Sequence, residues 1–588
     1  MIITTGQIKT IWHAQYPECW DSDNEQHCPN KIQCCDLFVN TPSVNNTCAA
    51  TFEPPGFCQA GDDTYPDALL CNVRATSSVS YSEFAGIMAG MLTFGIVCDL
   101  IGRKNAGTIT SIIMLVGISG MTLFDSNNST TLFIGFSIFF AIFGLGVGGE
   151  YPLTASGAAE YHVDNTEDAI LDNDQKHRRR VLLETAKTVR RGETIALVFA
   201  MQGIGAVLGS LLLLIMIYIS DQTRIDCDKP SSNSSGNNPD ALSGIWRGFY
   251  LIGLLFVAML LLYRWLVLEE GTDRAKIQKR KKNRKARLGA RSTNRWKILR
   301  FYAPRLMGTG GNWFVWDIAF YGLKLFSGPI FAAINPQGDL LVQNGWLLFN
   351  NLCALAGYYC AARVVDIPWI GRKKLQMLSF AICAFLFMMT AGIFNSSKPE
   401  TLMFLFFASS FFGQLGANVT TYVMAAETYP TELRGTCHGI SAVMGKSGAL
   451  LATIIFEAMD TPTIFWTCGA TSVIGFFLTF VFSVDLTHVS LAEHDAQFEL
   501  FLEGRLHVYK GRLNAPMHLS NFEKWTGRHG EYDPKWASKL LNREKSAQLV
   551  SSSLPHPKRQ KTRSSGSKVR ALFAHSSESN DDEISPDH

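Results

Sequence analysis

The chain has 588 residues, 47% of them hydrophobic, and its 53 Lys and Arg nearly balance its 50 Asp and Glu for a formal charge of +3. That figure averages apolar stretches with charged loops, so it marks no nucleic-acid partner by itself. Apolar runs of about 18 residues or more, long enough to cross a bilayer, recur over 82–101, 106–124, 132–150, 194–220, 244–267, 306–333, 344–365, 376–395, 401–425, 437–459 and 462–484. One such run reads as the core helix of a soluble enzyme. Eleven in succession exclude that reading and predict an all-α polytopic membrane protein in contact with the lipid bilayer.

Before the first run, residues 1–81 crowd Cys19, Cys28, Cys34, Cys35, Cys48, Cys58 and Cys71. With Cys227 of a later outer loop the set becomes even, which predicts a disulfide-stapled extracellular cap. The segment has neither a spanning run nor the n- and h-regions of a signal peptide. A long outer loop with no span before it predicts that the sequence lacks a first helix. The basic segments 177–191 and 273–300 fall on one side by span counting, which assigns that side to the cytoplasm. The sequons at Asn45, Asn127 and Asn233 fall on the other, as glycosylation requires. Cys98, Cys353, Cys360, Cys383, Cys437 and Cys468 lie in or beside spans and read as small packing residues.

Two charges stand inside spans. Asp317 lies within 306–333 and Lys446 within 437–459, about nine residues from its start, so it reads as buried rather than snorkelling. A carboxylate and a cation at bilayer depth suggest an anion path with proton coupling. Trp313, Asp317 and Tyr321 recur every fourth residue and share one helix face. Asp317 and Lys446 also read as a structural ion pair; a pair broken by an entering anion would itself be a coupling device.

The basic loop 268–305 divides the runs into five over 82–267 and six over 306–484. Both halves carry matching inner turns: Gly95-IVCDLIGRK and Asp366-IPWIGRK, then Gly149-EYPLTASGAAE and Ala426-ETYPTELRGT. Parallel repeats of this kind mark a two-bundle transporter with its site between the bundles. The Gly95-x3-Asp99-x2-Gly102-Arg103-Lys104 turn resembles the loop signature of the major facilitator superfamily. More narrowly, GLGVGGEYPLTASGAAE (144–160), ALVFAMQGIG (196–205), GNWFVWDIAFY (311–321) and GANVTTYVMAAETYPTELRGTCHGISAVMGKSG (416–448) resemble the inorganic phosphate:proton symporters of fungi and plants.

This resemblance implies twelve spans, a plasma-membrane location and a phosphate shell of Tyr151, Gln202, Trp313, Asp317, Tyr321 and Asn418, with Lys446 as the electrostatic partner. It also implies proton-coupling roles for Asp317 and Glu150. The resembled family carries an aspartate where this chain has Glu150, and a position at the inner end of its span equally suits a gate or rim residue. Asp99, Arg103, Glu160, Arg191, Asp366, Arg372, Glu427 and Arg434 read as an inner gate whose ion pairs close and part with access. Beyond Val484 the composition turns polar, and 485–588 reads as a disordered cytoplasmic tail. In it, Lys558-Arg559-Gln560-Lys561 resembles a nuclear signal only by composition and reads as a run that touches anionic lipid or nothing. The sequence carries no Walker A pattern, metal cluster or nucleophile triad, so no enzyme activity and no cofactor are expected, and ion gradients must drive transport. The rivals are a carrier of another organic anion or a sugar, and a phosphate sensor that signals through the tail.

Overall fold

The computed structural model describes residues 73–126, 129–160, 190–219, 239–267, 295–325, 327–334, 340–456 and 458–536. The cysteine-rich segment through Cys71, Cys227, the three sequon asparagines, most of the basic central loop and the far tail lie outside them. The chain divides into two compact units, Met1–Pro534 and Lys535–His588, and the described residues fall almost wholly in the first.

Those residues are helical. Five helices precede the central loop: α1 (Val73–Ile101), α2 (Arg103–Leu123), α3 (Ser129–Glu160), α4 (Arg191–Ile219) and α5 (Pro239–Leu266). After it, α6 (Arg295–Leu306) runs through a π turn at Met307–Gly311 into α7 (Asn312–Leu325), followed by α8 (Ser327–Ile334), α9 (Leu340–Val364) and α10 (Gly371–Ile393). Then α11 (Pro399–Gly413) passes through a second π turn, Gln414–Asn418, into α12 (Val419–Glu427), with α13 (Arg434–Phe456) and α14 (Thr461–Phe482) completing the bundle. Among the described residues nine helical stretches are long and apolar enough to cross a membrane. The two other predicted runs are also helical but more polar: α7 carries Asn312, Asp317 and Lys324, and α9 carries Gln343, Asn344, Asn350 and Asn351.

Packing follows the small residues. In lipid, helices gain little by hiding apolar surface and associate where backbones approach closely. At Gly90 a Cβ would strike the carbonyl of Leu145, so α1 lies directly against α3; at Gly439 it would strike the carbonyl of Met91, which sets α13 against α1. Together with α4 packed along α9, that contact joins the early helices to the late ones. One buried core accordingly mixes Phe84, Ile87 and Phe199 with Trp313, Tyr422 and Ala442. Outward-facing Leu100, Leu255, Phe256 and Phe404 remain exposed, as a lipid-contacting surface requires.

The repeated inner turns share a backbone device. Gly102 and Gly371 hold φ of +93° and +65°, the left-handed region glycine tolerates, and each immediately precedes an arginine in the first turn of the next helix. Two boundaries differ from the sequence expectation. The helix expected from 306 begins at Arg295, because the basic residues there occupy the inner end of one continuous helix. The tail expected to be disordered from 485 is structured up to Trp536: α15 (Leu491–Leu502), three 3-10 turns and α16 (Asn521–Trp525) fold back on the bundle. Polar composition hid a small apolar face, since Phe498 and Phe501 are buried with Tyr302, Leu306 and Tyr429. The segment is fastened by Arg305 to Glu523 at 2.9 Å and by Asp495, which accepts from the Thr431 amide at 2.8 Å.

Candidate functional site

Three side chains on one face of α7 form the centre. Asp317 Oδ2 meets Lys446 Nζ of α13 at 2.7 Å, with both side chains at most 2% exposed. The ammonium also lies 4.2 Å from the ring centre of Tyr321 and 5.4 Å from that of Tyr151, which comes from α3 in the first half. Cation–π contact partly replaces the hydration the lysine has lost. Trp313 sits beside Tyr151 at 6.3 Å between ring centres and edge-on to Tyr422 and His438 at 6.3 and 5.6 Å. A carboxylate, an ammonium, two phenols and an indole thus gather where the halves meet.

A second polar patch continues from it. Gln202 Oε1 accepts from Tyr358 Oη at 3.3 Å, and that hydroxyl accepts from Asn418 Nδ2 at 2.9 Å. Asn418 also donates to Gln414 Oε1 at 2.6 Å. Gln414 and Asn418 bound the second π turn, a local widening that recurs at functional sites because it re-aims side chains. Phe199 joins the two patches, stacked on Tyr422 at 4.4 Å and edge-on to Tyr358 at 5.9 Å. Tyr358, Tyr422 and His438 were not read from the sequence. Tyr422 is one turn beyond Asn418, and His438 two turns before Lys446, so helical spacing from the named residues would have found both. Tyr358 gives no such signal, because tyrosine in a spanning helix is common.

Glu150 is engaged elsewhere. Arg264 of α5 grips it with both terminal nitrogens, at 2.6 and 2.5 Å, while also donating to Ser111 Oγ at 2.9 Å. Thr110 donates to the same carboxylate at 2.5 Å. Glu150 therefore ties α3 to α2 and α5 within the first half, in a fork-to-fork pair of the strong kind.

At the inner end, ion pairs cross between halves. Glu427 receives Arg191 of α4 at 2.8 Å and Arg372 of α10 at 3.0 Å. Arg372 further pairs with Asp366 at 2.7 Å, whose other oxygen accepts from the Glu193 amide at 2.7 Å. Burial pushes the Asp366 carboxyl above its ordinary range, against the pull of Arg372. On the opposite flank, Asp99 holds Arg103 at 3.1 Å and accepts from the Thr436 amide at 3.0 Å, bridging α1 to α13. Arg191 also donates to the Val489 carbonyl of the folded-back segment at 2.9 Å. Arg434 is buried and donates within its own turn, to Thr431 Oγ1 at 3.2 Å. The Glu160 side chain lies outside the described residues.

The sequence and the fold of the chain match known proteins. A family model described as "Major Facilitator Superfamily" matches residues 178–453, and one described as "Sugar (and other) transporter" matches 18–165. The "Probable inorganic phosphate transporter 1-6" of Arabidopsis thaliana is 27% identical over 76% of this chain and 87% of its own length. The "Probable inorganic phosphate transporter 1-3" of the same plant is 29% identical over 68% and 78%. Among solved structures, a double-tryptophan mutant of XylE superposes with a TM-score of 0.55 at 14% identity, over 84% of this chain and 98% of that one, which bears on the fold alone. With the paired glycine–arginine turns and these matches together, the chain is similar to transporters of the major facilitator superfamily.

Proposed function

We propose that this protein is a plasma-membrane symporter that imports inorganic phosphate with protons by alternating access. The observation that carries the reading is the buried Asp317–Lys446 pair, ringed by Tyr321, Tyr151 and Trp313 where the halves meet. An oxyanion leaving water needs a cation and hydrogen-bond donors. Lys446 supplies the first; the phenols, the indole and the amides of Gln202 and Asn418 supply the second. Phosphate that takes Lys446 deprives Asp317 of its cation. In a dry site that carboxylate then takes a proton rather than stand as an isolated anion, so anion and proton load together. A neutral sugar has no use for the buried cation, and the names of the curated relatives support phosphate.

Alternation follows from the inner gate. The pairs of Glu427 with Arg191 and Arg372, and of Asp99 with Thr436, hold the cytoplasmic end closed. Opening that end requires them to part, and loading the site shifts this two-state balance by the difference in its affinity for the two arrangements. Glu150, gripped by Arg264, serves better as a rivet of the first half than as the coupling group. The test is uptake of labelled phosphate by cells lacking their own high-affinity carrier, with surface expression confirmed. Saturable uptake that excess unlabelled phosphate suppresses and glucose does not would support the reading; sugar uptake without phosphate uptake would overturn it.

A further inference from the structure

Lys324 stands two turns beyond Asp317 on α7, about 10 Å further toward the outer end. Its side chain is buried, and its ammonium donates to Asn351 Oδ1 at 2.6 Å. Among the described residues no carboxylate pairs with it. An ammonium buried without a counter-charge is costly and persists where something offsets it. Lys324 lines a cavity with Trp316, Asn350, Ser409, Ser410 and Gln414. Three polar atoms there have no hydrogen-bond partner: the Trp316 indole nitrogen and both atoms of the Asn350 amide. Asn350 is 1% and Trp316 3% exposed, so water in bulk does not satisfy them. A cation, an indole N–H, an amide NH2 and the Ser410 hydroxyl around one void form the donor set of an anion site, the Ser409 hydroxyl donating instead to the Phe406 carbonyl at 2.7 Å, and native proteins rarely leave such groups idle.

The position gives the void a purpose. Descending α11 from its outer end, Ser409 and Ser410 give way to Gln414, which also lines the cavity, and Gln414 accepts from Asn418 of the central patch. Asn351, which holds Lys324, donates across the halves to Ser210 Oγ of α4 at 2.6 Å. We infer that the Lys324 cavity is a second anion subsite, outward of the Asp317–Lys446 pair, that takes inorganic phosphate before it reaches the centre. Phosphate there would compensate Lys324 and accept from Trp316, Asn350 and Ser410, while Gln414 leads on to Asn418. The inference rests on the phosphate reading above.

The experiment is equilibrium binding of labelled phosphate to the purified full chain, with uptake measured in parallel, for the wild type, Lys324→Gln and Asn350→Asp. Sulfate and chloride are run as further probes. The wild type should bind in two classes of site. Lys324→Gln should lose one class and raise the KM for uptake about tenfold, with kcat and acid dependence kept. Asn350→Asp is nearly isosteric and sets a carboxylate beside Lys324, so it should lose the same class without loss of fold. Unchanged binding and KM in both variants, with wild-type phosphate uptake intact, would overturn the subsite alone. Sulfate or chloride bound through Lys324 by a chain that takes up no phosphate would support the anion cavity and overturn the phosphate reading.

Discussion

Lys446 and Asp317 meet at 2.7 Å, and both belong to the later half of the chain. The first half contributes the Tyr151 ring 5.4 Å from the ammonium rather than a charge. The charge pair is thus self-contained in one bundle, and under the proposed function an entering anion would compete with Asp317 for a lysine that the other bundle only faces.

Removing one member leaves the other charged in a dry site, a loss of about 3–5 kcal/mol. Asp317→Asn alone should therefore lower the melting temperature of the purified protein. Asp317→Asn with Lys446→Met should regain most of it, and neither protein should transport. Equal melting of the single and double variants would mean that the pair is not a desolvated one.

Glu427 holds Arg191 and Arg372 at once, which makes it the shared anion of the proposed inner gate. Glu427→Gln should weaken closure by about 3–5 kcal/mol and populate the inward-open state. Cysteines placed along the inner half of α4 should then react faster with a membrane-impermeant maleimide in inside-out vesicles. Unaltered labelling would remove these pairs from the gate.

Glu150 makes a contrasting case. Its bidentate contact with Arg264 predicts that Glu150→Gln lowers surface expression and melting temperature while leaving the acid dependence of residual uptake in place. A well-expressed variant with a flattened pH profile would instead make Glu150 a coupling group.

The folded-back segment should weaken in acid. Burial first, then the nearby Arg305, Arg434 and Arg191, hold His494 well below the ordinary histidine range; burial also depresses His518. Both are therefore neutral in the folded segment, while the released segment binds protons below about pH 6.5. Their contribution is complete above that pH and is lost as pH falls toward the folded values. Glu523 adds a lower window. Arg305 and Ser520 outweigh its burial and keep its carboxyl below the ordinary range, so its share is lost only below about pH 4. Hydrogen exchange over 485–533, corrected for intrinsic rates, should quicken between neutral pH and about pH 5.5. His494→Phe should flatten that change; exchange independent of pH would contradict the account.

Much of this molecule was legible in its sequence because lipid imposes a severe filter. Apolar runs, two intramembrane charges and the duplicated glycine–arginine turns led to the helices, to Asp317 with Lys446, and to the crossing of Arg191, Arg372 and Glu427. Four features were not legible. Arg264 ends an apolar run, where lysine and arginine commonly reach for the interface, so nothing marked it as the partner of Glu150. The π turns leave no trace in hydropathy, yet one of them sets Gln414 and Asn418 in place. The segment after Val484 looked disordered because its buried face is small, with Phe498 and Phe501 scattered among charges. Lys324 lies three residues beyond Tyr321 but gives no signal of its own in the sequence, since only a three-dimensional view shows that no acid among the described residues pairs with it.

The most direct test of the central claim is the initial rate of labelled phosphate uptake in acidic against alkaline medium, for wild type and Asp317→Asn at equal surface amounts. The account predicts wild-type uptake that rises in acid, and loss of net uptake in the variant. Acid-stimulated uptake of the same size in Asp317→Asn would contradict it, because the proton would then travel without this carboxylate.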